Sequence, residues 1–440
     1  MNPLIQSQVP YRLATRQRPG NSSIGSVNDM NDSRLARFRR WFWRPPRAHG
    51  EVIHDRTVGF LELYYDLVYV AVIIQLAHRA AHELTLEGLL QFTVVFALIF
   101  IAWVNGSLYL ELHGGDDGRT RTVVFVQIAL LALLAVFIGD AATSTGQQFT
   151  LAYGAFIGFM ALLWHDGRTQ DRRDRPESVQ VLGGYVAALA IWSVVILAAV
   201  VLSDELRMLV WGAFAVVWIV GIALAGLRPT GLQRVIVPTD ALVERFGLFV
   251  IIVLGEVFFG VVNGLVAIPR DGLTVVTGMV ALALGFAFGW IYFDLIGRRF
   301  PRRDGPAIAR WMLGHLPMTL AISITGAAGV SLVEHANDAT TPAGTAWALC
   351  GSVAIGLLAL VLIKDTLEDA KRLPSVYGPV GVASVAGAAA ALAVGFVRPA
   401  PWLLAVLLIA ILGALWLFTV ARFVTSDVAD DPGAVGSGAD

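Results

Sequence analysis

The sequence predicts an all-α polytopic membrane protein of about twelve transmembrane helices, built as two parallel six-helix repeats with both termini cytoplasmic. Three observations point there: a composition too apolar for water, twelve apolar runs of spanning length, and a cationic bias that alternates from loop to loop. Of 440 residues, 56% are hydrophobic and 15% charged, and the mean hydropathy is +0.69. Soluble domains carry roughly a quarter charged residues, so this chain has too little charge to coat a water-soluble globule of its size. A net charge of −1 offers no field for nucleic acid. The single cysteine, Cys350, excludes an internal disulfide and any cysteine-based metal cluster, and reads as a small buried apolar residue.

A membrane helix needs about 20 mostly apolar residues. Windows of that length fall at 60–81, 87–110, 122–141, 148–165, 179–202, 207–227, 241–263, 273–296, 310–332, 345–364, 376–397 and 401–421. Breaks at Ser203-Asp204-Glu205, Arg228-Pro229-Thr230-Gly231 and Pro269-Arg270-Asp271-Gly272 are turn signals. The runs are continuous rather than alternating, which excludes a barrel. With a cytoplasmic amino terminus, the inward loops hold sixteen Lys and Arg, whereas the outward loops hold Arg207, Arg270 and Arg398. Cations concentrate on the cytoplasmic side, and a missed helix would have scrambled every later loop.

Four regions follow: a basic tail over 1–56, six helices over 57–230, six more over 231–424, and a short tail over 425–440. The first tail holds ten arginines and no apolar core long enough for a signal peptide, and is expected to be mostly disordered. Its stretch Arg34–Trp43 mixes cations with aromatics, as an orienting flank or an interfacial anchor does.

The repeat rests on two echoes. Glu62-Leu-Tyr-Tyr-Asp-Leu-Val-Tyr-Val70 aligns with Glu244-Arg-Phe-Gly-Leu-Phe-Val-Ile-Ile252 at an offset of 182, and Tyr109-Leu-Glu-Leu112 with Tyr292-Phe-Asp-Leu295 at 183. A six-helix unit preserves topology, so the halves are parallel, an arrangement used by secondary transporters.

An ionisable group near the bilayer centre costs at least ~2.5–3.5 kcal/mol and calls for a reason. Glu62 and Asp66 share one face of the first helix, four residues apart. Glu244 and Arg245 open the seventh helix, and Glu256 lies twelve residues beyond Glu244, about 18 Å deeper. Glu111 and Asp294 end the second and eighth helices, and Asp140 ends the third on the far side. His315 precedes Leu316-Pro317, where proline frees a backbone carbonyl. One reading has Glu62, Asp66, Glu256 and His315 lining a polar route for a proton or cation. The other has Glu62 and Glu244 pairing with Arg245 or capping helix ends. Depth favours function for Glu256. His78 and His82 have the i, i+4 spacing of metal ligands, with Glu83 adjacent, but spacing suggests no third ligand, so no metal is expected. Gly387, Ala391 and Gly395, like Gly278, Gly285 and Gly289, read as close-packing surfaces. Phosphate loops, dinucleotide fingerprints and nucleophile elbows are absent, so neither an enzyme nor a cofactor is expected. The expected partners are the lipid bilayer and a small solute or ion, with no nucleic acid.

The motifs at 62–70 and 244–256, together with Leu151-Ala-Tyr153, Tyr292-Phe-Asp294 and His315-Leu-Pro317, resemble the bacterial low-temperature-requirement protein A family. The resemblance runs from the first helix to the ninth and implies a multi-pass bacterial membrane protein. It marks Glu62, Asp66, Glu244, Arg245, Glu256, Asp294 and His315 as family-motif positions. After the second helix, where the family carries an arginine and an aspartate before paired acids, this chain reads Glu111-Leu-His-Gly-Gly-Asp116-Asp117. The family is named for a growth phenotype, so the resemblance speaks to architecture more than to chemistry.

Overall fold

The computed structural model describes residues 42–44, 46, 59–115, 117–174, 176–228, 231–269 and 271–426. Most of the basic tail, including 34–41 of the aromatic-cationic stretch, and the final 427–440 lie outside the described residues. Contacts divide the chain at Arg44 and Pro45, and everything from Pro45 onward is one unit.

Twelve long helices make up that unit among the described residues: α1 Phe60–His82, α2 Leu86–His113, α3 Gly118–Phe137, α4 Gly146–Asp174, α5 Pro176–Ala198, α6 Asp204–Leu227, α7 Asp240–Ala267, α8 Gly272–Leu295, α9 Gly305–Glu334, α10 Ala343–Lys364, α11 Pro374–Val397 and α12 Pro401–Val424. No strand occurs among the described residues. Each helix answers one expected apolar run, but only eleven are long and apolar enough to cross a membrane. The exception is α4. Its apolar stretch is flanked by Gln147 and Gln148 at one end and by the polar run from His165 to Asp174 at the other, and the helix continues well past the expected 165. Conversely, α3 ends at Phe137, four residues short of expectation, where Gly139 and Asp140 begin a turn.

Helix starts follow their capping residues. Thr85, Asp117, Thr239, Asp271 and Asp304 each accept a hydrogen bond from the backbone N–H three residues on, at 2.7–3.1 Å. These oxygens satisfy N–H groups that a helix cannot pair internally. Asp304 also receives Arg302 Nε at 3.0 Å. Partial burial opposes its charge, but the Ala307 N–H and the Arg302 guanidinium outweigh that and hold its carboxyl below the usual range. A depressed carboxylate contributes stability above its unfolded pKa of about 3.9 and loses it as the pH falls through the lower folded value. Asp304→Ala is therefore expected to cost about 1 kcal/mol at neutral pH. Unfolding midpoints in detergent should show that gap closing in acid; a gap unchanged by acid would count against the cap.

The core is organised around α9. Of the residues in its most apolar window 89% are buried, against 22% for the span 179–201. Helices α1, α6, α7, α8 and α10 all pack on α9, while α4 pairs with α5, α10 with α11, and α8 with α12. Backbones meet where α6 reaches α9: a Cβ on Gly226 would stand 2.8 Å from the Gly305 carbonyl oxygen and 2.6 Å from Ala309 Cβ. Neither neighbour can swing aside, so Gly226→Val is expected to lower stability by about 1–3 kcal/mol, read from the detergent unfolding midpoint. The expected small-residue surfaces are also close contacts. Gly285 and Gly289 of α8 face Val257 and Leu254 of α7, and Gly395 of α11 faces the buried Cys350 of α10. Outward faces carry large apolar side chains such as Val216, Leu224, Phe258, Phe286 and Phe396, as contact with lipid demands.

Candidate functional site

Asp66 of α1 and Arg245 of α7 form an ion pair sealed from solvent, their side chains 2% and 0% exposed. Arg245 donates from Nη2 to Asp66 Oδ1 at 3.0 Å and from Nε to Oδ2 at 3.3 Å, a two-pronged match of guanidinium to carboxylate. Helix α2 completes the shell. Trp103 Nε1 donates to Asp66 Oδ1 at 2.9 Å, and the Ser107 carbonyl accepts from Arg245 Nη1 at 3.2 Å. Two charges withdrawn from water are tolerated only when their remaining hydrogen-bonding positions are filled. Three helices fill them here.

Local sequence makes that approach possible. Gly106 lets α1 come so close to α2 that a Cβ there would overlap the Tyr65 hydroxyl at 1.9 Å. Tyr65 and Tyr69, one turn apart, share a hydrogen bond of 2.9 Å between their hydroxyls. Asn105 bonds back to the Ile101 carbonyl and accepts from Tyr185 of α5. The polar triplet Asn105-Gly106-Ser107, inside an otherwise apolar helix, was the available sequence signal for this shell. Trp103 had none, being one aromatic among many.

An aromatic column carries the shell onward to α9. The Trp103 ring stacks on Phe249 at 4.2 Å and meets Phe246 edge-on at 4.9 Å; Phe246 in turn lies 4.4 Å from Trp311 and 4.8 Å from His315. His315 is buried, with Nδ1 2.7 Å from the Trp311 carbonyl and Nε2 3.0 Å from the Tyr292 hydroxyl of α8. A carbonyl can only accept, so Nδ1 carries the proton, and in the neutral ring Nε2 accepts from Tyr292.

Glu256 stands apart from this cluster. It lies eleven residues beyond Arg245 on α7, about 16 Å along the axis and near mid-helix. Glu256 is buried, and among the described residues it forms no ion pair. Ser323 of α9 is its hydrogen-bonding neighbour, yet neither Glu256 Oε2 nor Ser323 Oγ completes a bond of normal geometry. Gly326 of α9 makes room for the acid, since a Cβ there would come within 2.6 Å of Oε2.

The remaining expected residues take local roles. Glu62, half-buried, accepts the Gly59 N–H at 3.4 Å and so caps α1. Its charge also acts on Arg245. Glu244 is exposed, on the side of α7 away from Arg245. Asp294 is exposed too and accepts Trp416 Nε1 of α12 at 2.7 Å. It sits at the meeting of two grooves, an apolar one of 740 Å³ between α7 and α8 and a smaller one of 220 Å³ against α12. Neither groove reaches Asp66, Arg245, Glu256 or His315. Glu111 accepts from Thr239 at 2.8 Å, and Arg79 joins Glu83 and Asp140 at 2.6 and 3.2 Å at the opposite end of the bundle. The stretch that departs from the family pattern still ends in an ion pair. Arg119, three residues after Asp116, reaches Asp166 of α4 and the Tyr109 hydroxyl, each at 2.7 Å; Asp116 itself lies outside the described residues. His78 is exposed, the side chain of His82 lies outside the described residues, and no three His, Cys, Asp or Glu side chains gather for a metal among the described ones.

Asp66 and Arg245 thus meet in one shell with Glu62 at its edge, His315 joins it only through the Trp103 and Phe246 rings, Glu256 lies deeper with no ion pair among the described residues, and Glu244 and Asp294 face outward. Comparison with known proteins agrees with the architecture. A curated protein from Rhizobium meliloti (strain 1021), "Uncharacterized protein RA0937", is 26% identical over 209 residues, 46% of this chain and 50% of its own length. The chain therefore aligns with about half of that relative. No solved structure matches. Residues 57–415 match the family described as Bacterial low temperature requirement A protein (LtrA). This many-helix membrane chain belongs to the LtrA family.

Proposed function

We propose that this protein is a secondary transporter or permease for a small solute, coupled to protons or cations, in the bacterial cell (inner) membrane. The observation that carries the reading is Glu256: a carboxyl buried at mid-helix with no cation beside it and an oxygen left without a hydrogen bond. Such a charge is expensive in hydrocarbon, and the group is neutralised only by an ion it can take up and release. No enzymatic step and no cofactor enter this reading.

Packing supports the duplicated carrier frame. The neighbours α1–α2, α1–α3, α2–α6, α3–α4, α4–α5 and α5–α6 recur six helices later as α7–α8, α7–α9, α8–α12, α9–α10, α10–α11 and α11–α12. In this frame α4 spans the membrane as the twelfth helix, the halves are parallel, and both termini are cytoplasmic. The Asp66–Arg245 pair joins the first helix of each half, so it acts as a closure at the inner end, holding the halves together until the pair is exchanged for substrate or ion contacts. Purified protein in proteoliposomes tests the proposal. The expected result is pH- or cation-dependent flux of a solute from a broad panel, abolished by Glu256→Gln. No flux for any solute, with the variant indistinguishable from wild type, would remove it.

The second reading is a non-transporting membrane scaffold or cold- and stress-adaptation protein whose embedded charges lock helix packing. The closed, two-pronged Asp66–Arg245 pair favours it. It predicts that Glu256→Gln and Glu62→Gln lower stability with no flux in either protein, and unchanged thermal stability in both variants would argue against it.

A further inference from the structure

The helix facing Glu256 carries a row of polar side chains at four-residue spacing. His315, Thr319 and Ser323 are all buried, at 1%, 0% and 0% exposure, in the most buried helix of the bundle. The row starts in the shell around the Asp66–Arg245 pair, through the Phe246 contact to His315, and ends at Ser323 against the Glu256 carboxyl. Successive members lie four residues apart, about 6 Å along the axis, and the Thr319 hydroxyl at rest donates to the His315 carbonyl at 2.7 Å.

The surroundings of Glu256 discriminate between ions. In membrane carriers a metal cation is held by several converging oxygens, commonly carbonyls of unwound helix. Beside Glu256, α7 and α9 both run as continuous helix and their carbonyls are committed to the backbone ladder; the carbonyl that Pro317 frees belongs to Leu313, more than two turns from Ser323. Gly260 and Gly326 border the carboxyl without side chains, and Ser323 is its one side-chain hydrogen-bonding neighbour among the described residues. Other titratable groups among the described side chains of the packed helices are Glu62, Tyr64, Tyr65, Asp66, Tyr69, His78 and Arg79 on α1, Glu87, Tyr109, Glu111 and His113 on α2, Tyr292 and Asp294 on α8, and Arg310, His315 and Glu334 on α9. None of them is bonded to Glu256 or paired with it. On α7 itself Asp240, Glu244 and Arg245 lie three turns or more away.

We infer that the ion exchanged at Glu256 is a proton, delivered from the inner side through the Thr319 and Ser323 hydroxyls; this rests on reading Glu256 as the coupling site. In uptake the carboxylate gains an O–H bond from the Ser323 hydroxyl, which is refilled from the Thr319 side. The protonated acid is left neutral and nothing is oxidised or reduced.

Infrared difference spectroscopy on the purified full chain tests this without requiring transport. Lowering the pH should raise a protonated-carboxyl band that is absent in Glu256→Gln and unchanged when sodium replaces choline at fixed pH. After a pH jump the band should appear roughly tenfold to a hundredfold more slowly in Ser323→Ala or Thr319→Val. Loss of the band on adding sodium, absence of any titration at Glu256, or wild-type rates in both hydroxyl variants would each overturn the inference. Titration at Glu256 with no solute flux would instead sink the transporter reading and leave the proton site standing. Flux without titration would do the reverse.

Discussion

Arg245→Met is expected to lower the unfolding free energy by about 3–5 kcal/mol, because it leaves the Asp66 carboxylate buried without its counter-charge. Asp66 would keep only the Trp103 N–H, and the Ser107 carbonyl would lose its donor. The cost comes from the orphaned charge rather than from the intrinsic strength of the pair. The double variant Arg245→Met, Asp66→Leu should therefore recover most of the loss, since apolar groups of similar volume often replace a buried pair without penalty. Equilibrium unfolding in detergent reads both variants. A single variant within about 1 kcal/mol of wild type would mean that water reaches the pair. In proteoliposomes the same double variant also bears on closure: if the pair holds the inner end shut, removing it should raise passive leak even though the fold is restored.

The second large effect is expected at Trp103. Trp103→Ala should cost about 3–5 kcal/mol, as removal of a large buried aromatic does. Its ring lies between Phe249 and Phe246 and its N–H serves Asp66, so the deletion both opens a cavity and strips a bond from a buried charge. Trp103→Phe separates the two contributions. It keeps most of the aromatic packing and loses the N–H alone, for which about 1.5–3 kcal/mol is expected, the range for a hydrogen bond to a charged group. Equal losses in the two variants would show that the hydrogen bond, which both lose, carries the effect; no loss in Trp103→Phe would show that the ring does.

Which of these residues mattered was only partly legible beforehand. Asp66, Arg245, His315 and Glu256 stood out because charge in an apolar run is visible in one dimension. Their partners were not. Glu62 and Asp66 lie four apart on one helix face, so spacing alone allows either to meet Arg245; the rotation of α1 against α7 selects Asp66 and leaves Glu62 capping the helix. Glu244 sits next to Arg245 in sequence, yet a step of one residue turns it about 100° around the helix and out of the shell. Asp294 closes α8 with the same apparent credentials as Glu111, but it faces a groove while Glu111 is buried against Thr239. Thr319, Ser323 and Gly326 passed unnoticed because hydroxyls and glycines are common in membrane helices and gain meaning only from what lies opposite.

By itself, the sequence determined the solvent, the helical class and the places where the chain turns. Hydropathy and capping are properties of neighbouring residues, and lipid leaves a backbone few alternatives to the helix. Tertiary structure alone decided which acid meets the arginine, that α9 is the buried axis, and that Glu256 has no counter-ion among the described residues. Those outcomes depend on how each helix is rotated about its own axis, a quantity set by close contacts between elements far apart in the chain, such as Gly106 against Tyr65 and Gly226 against Gly305.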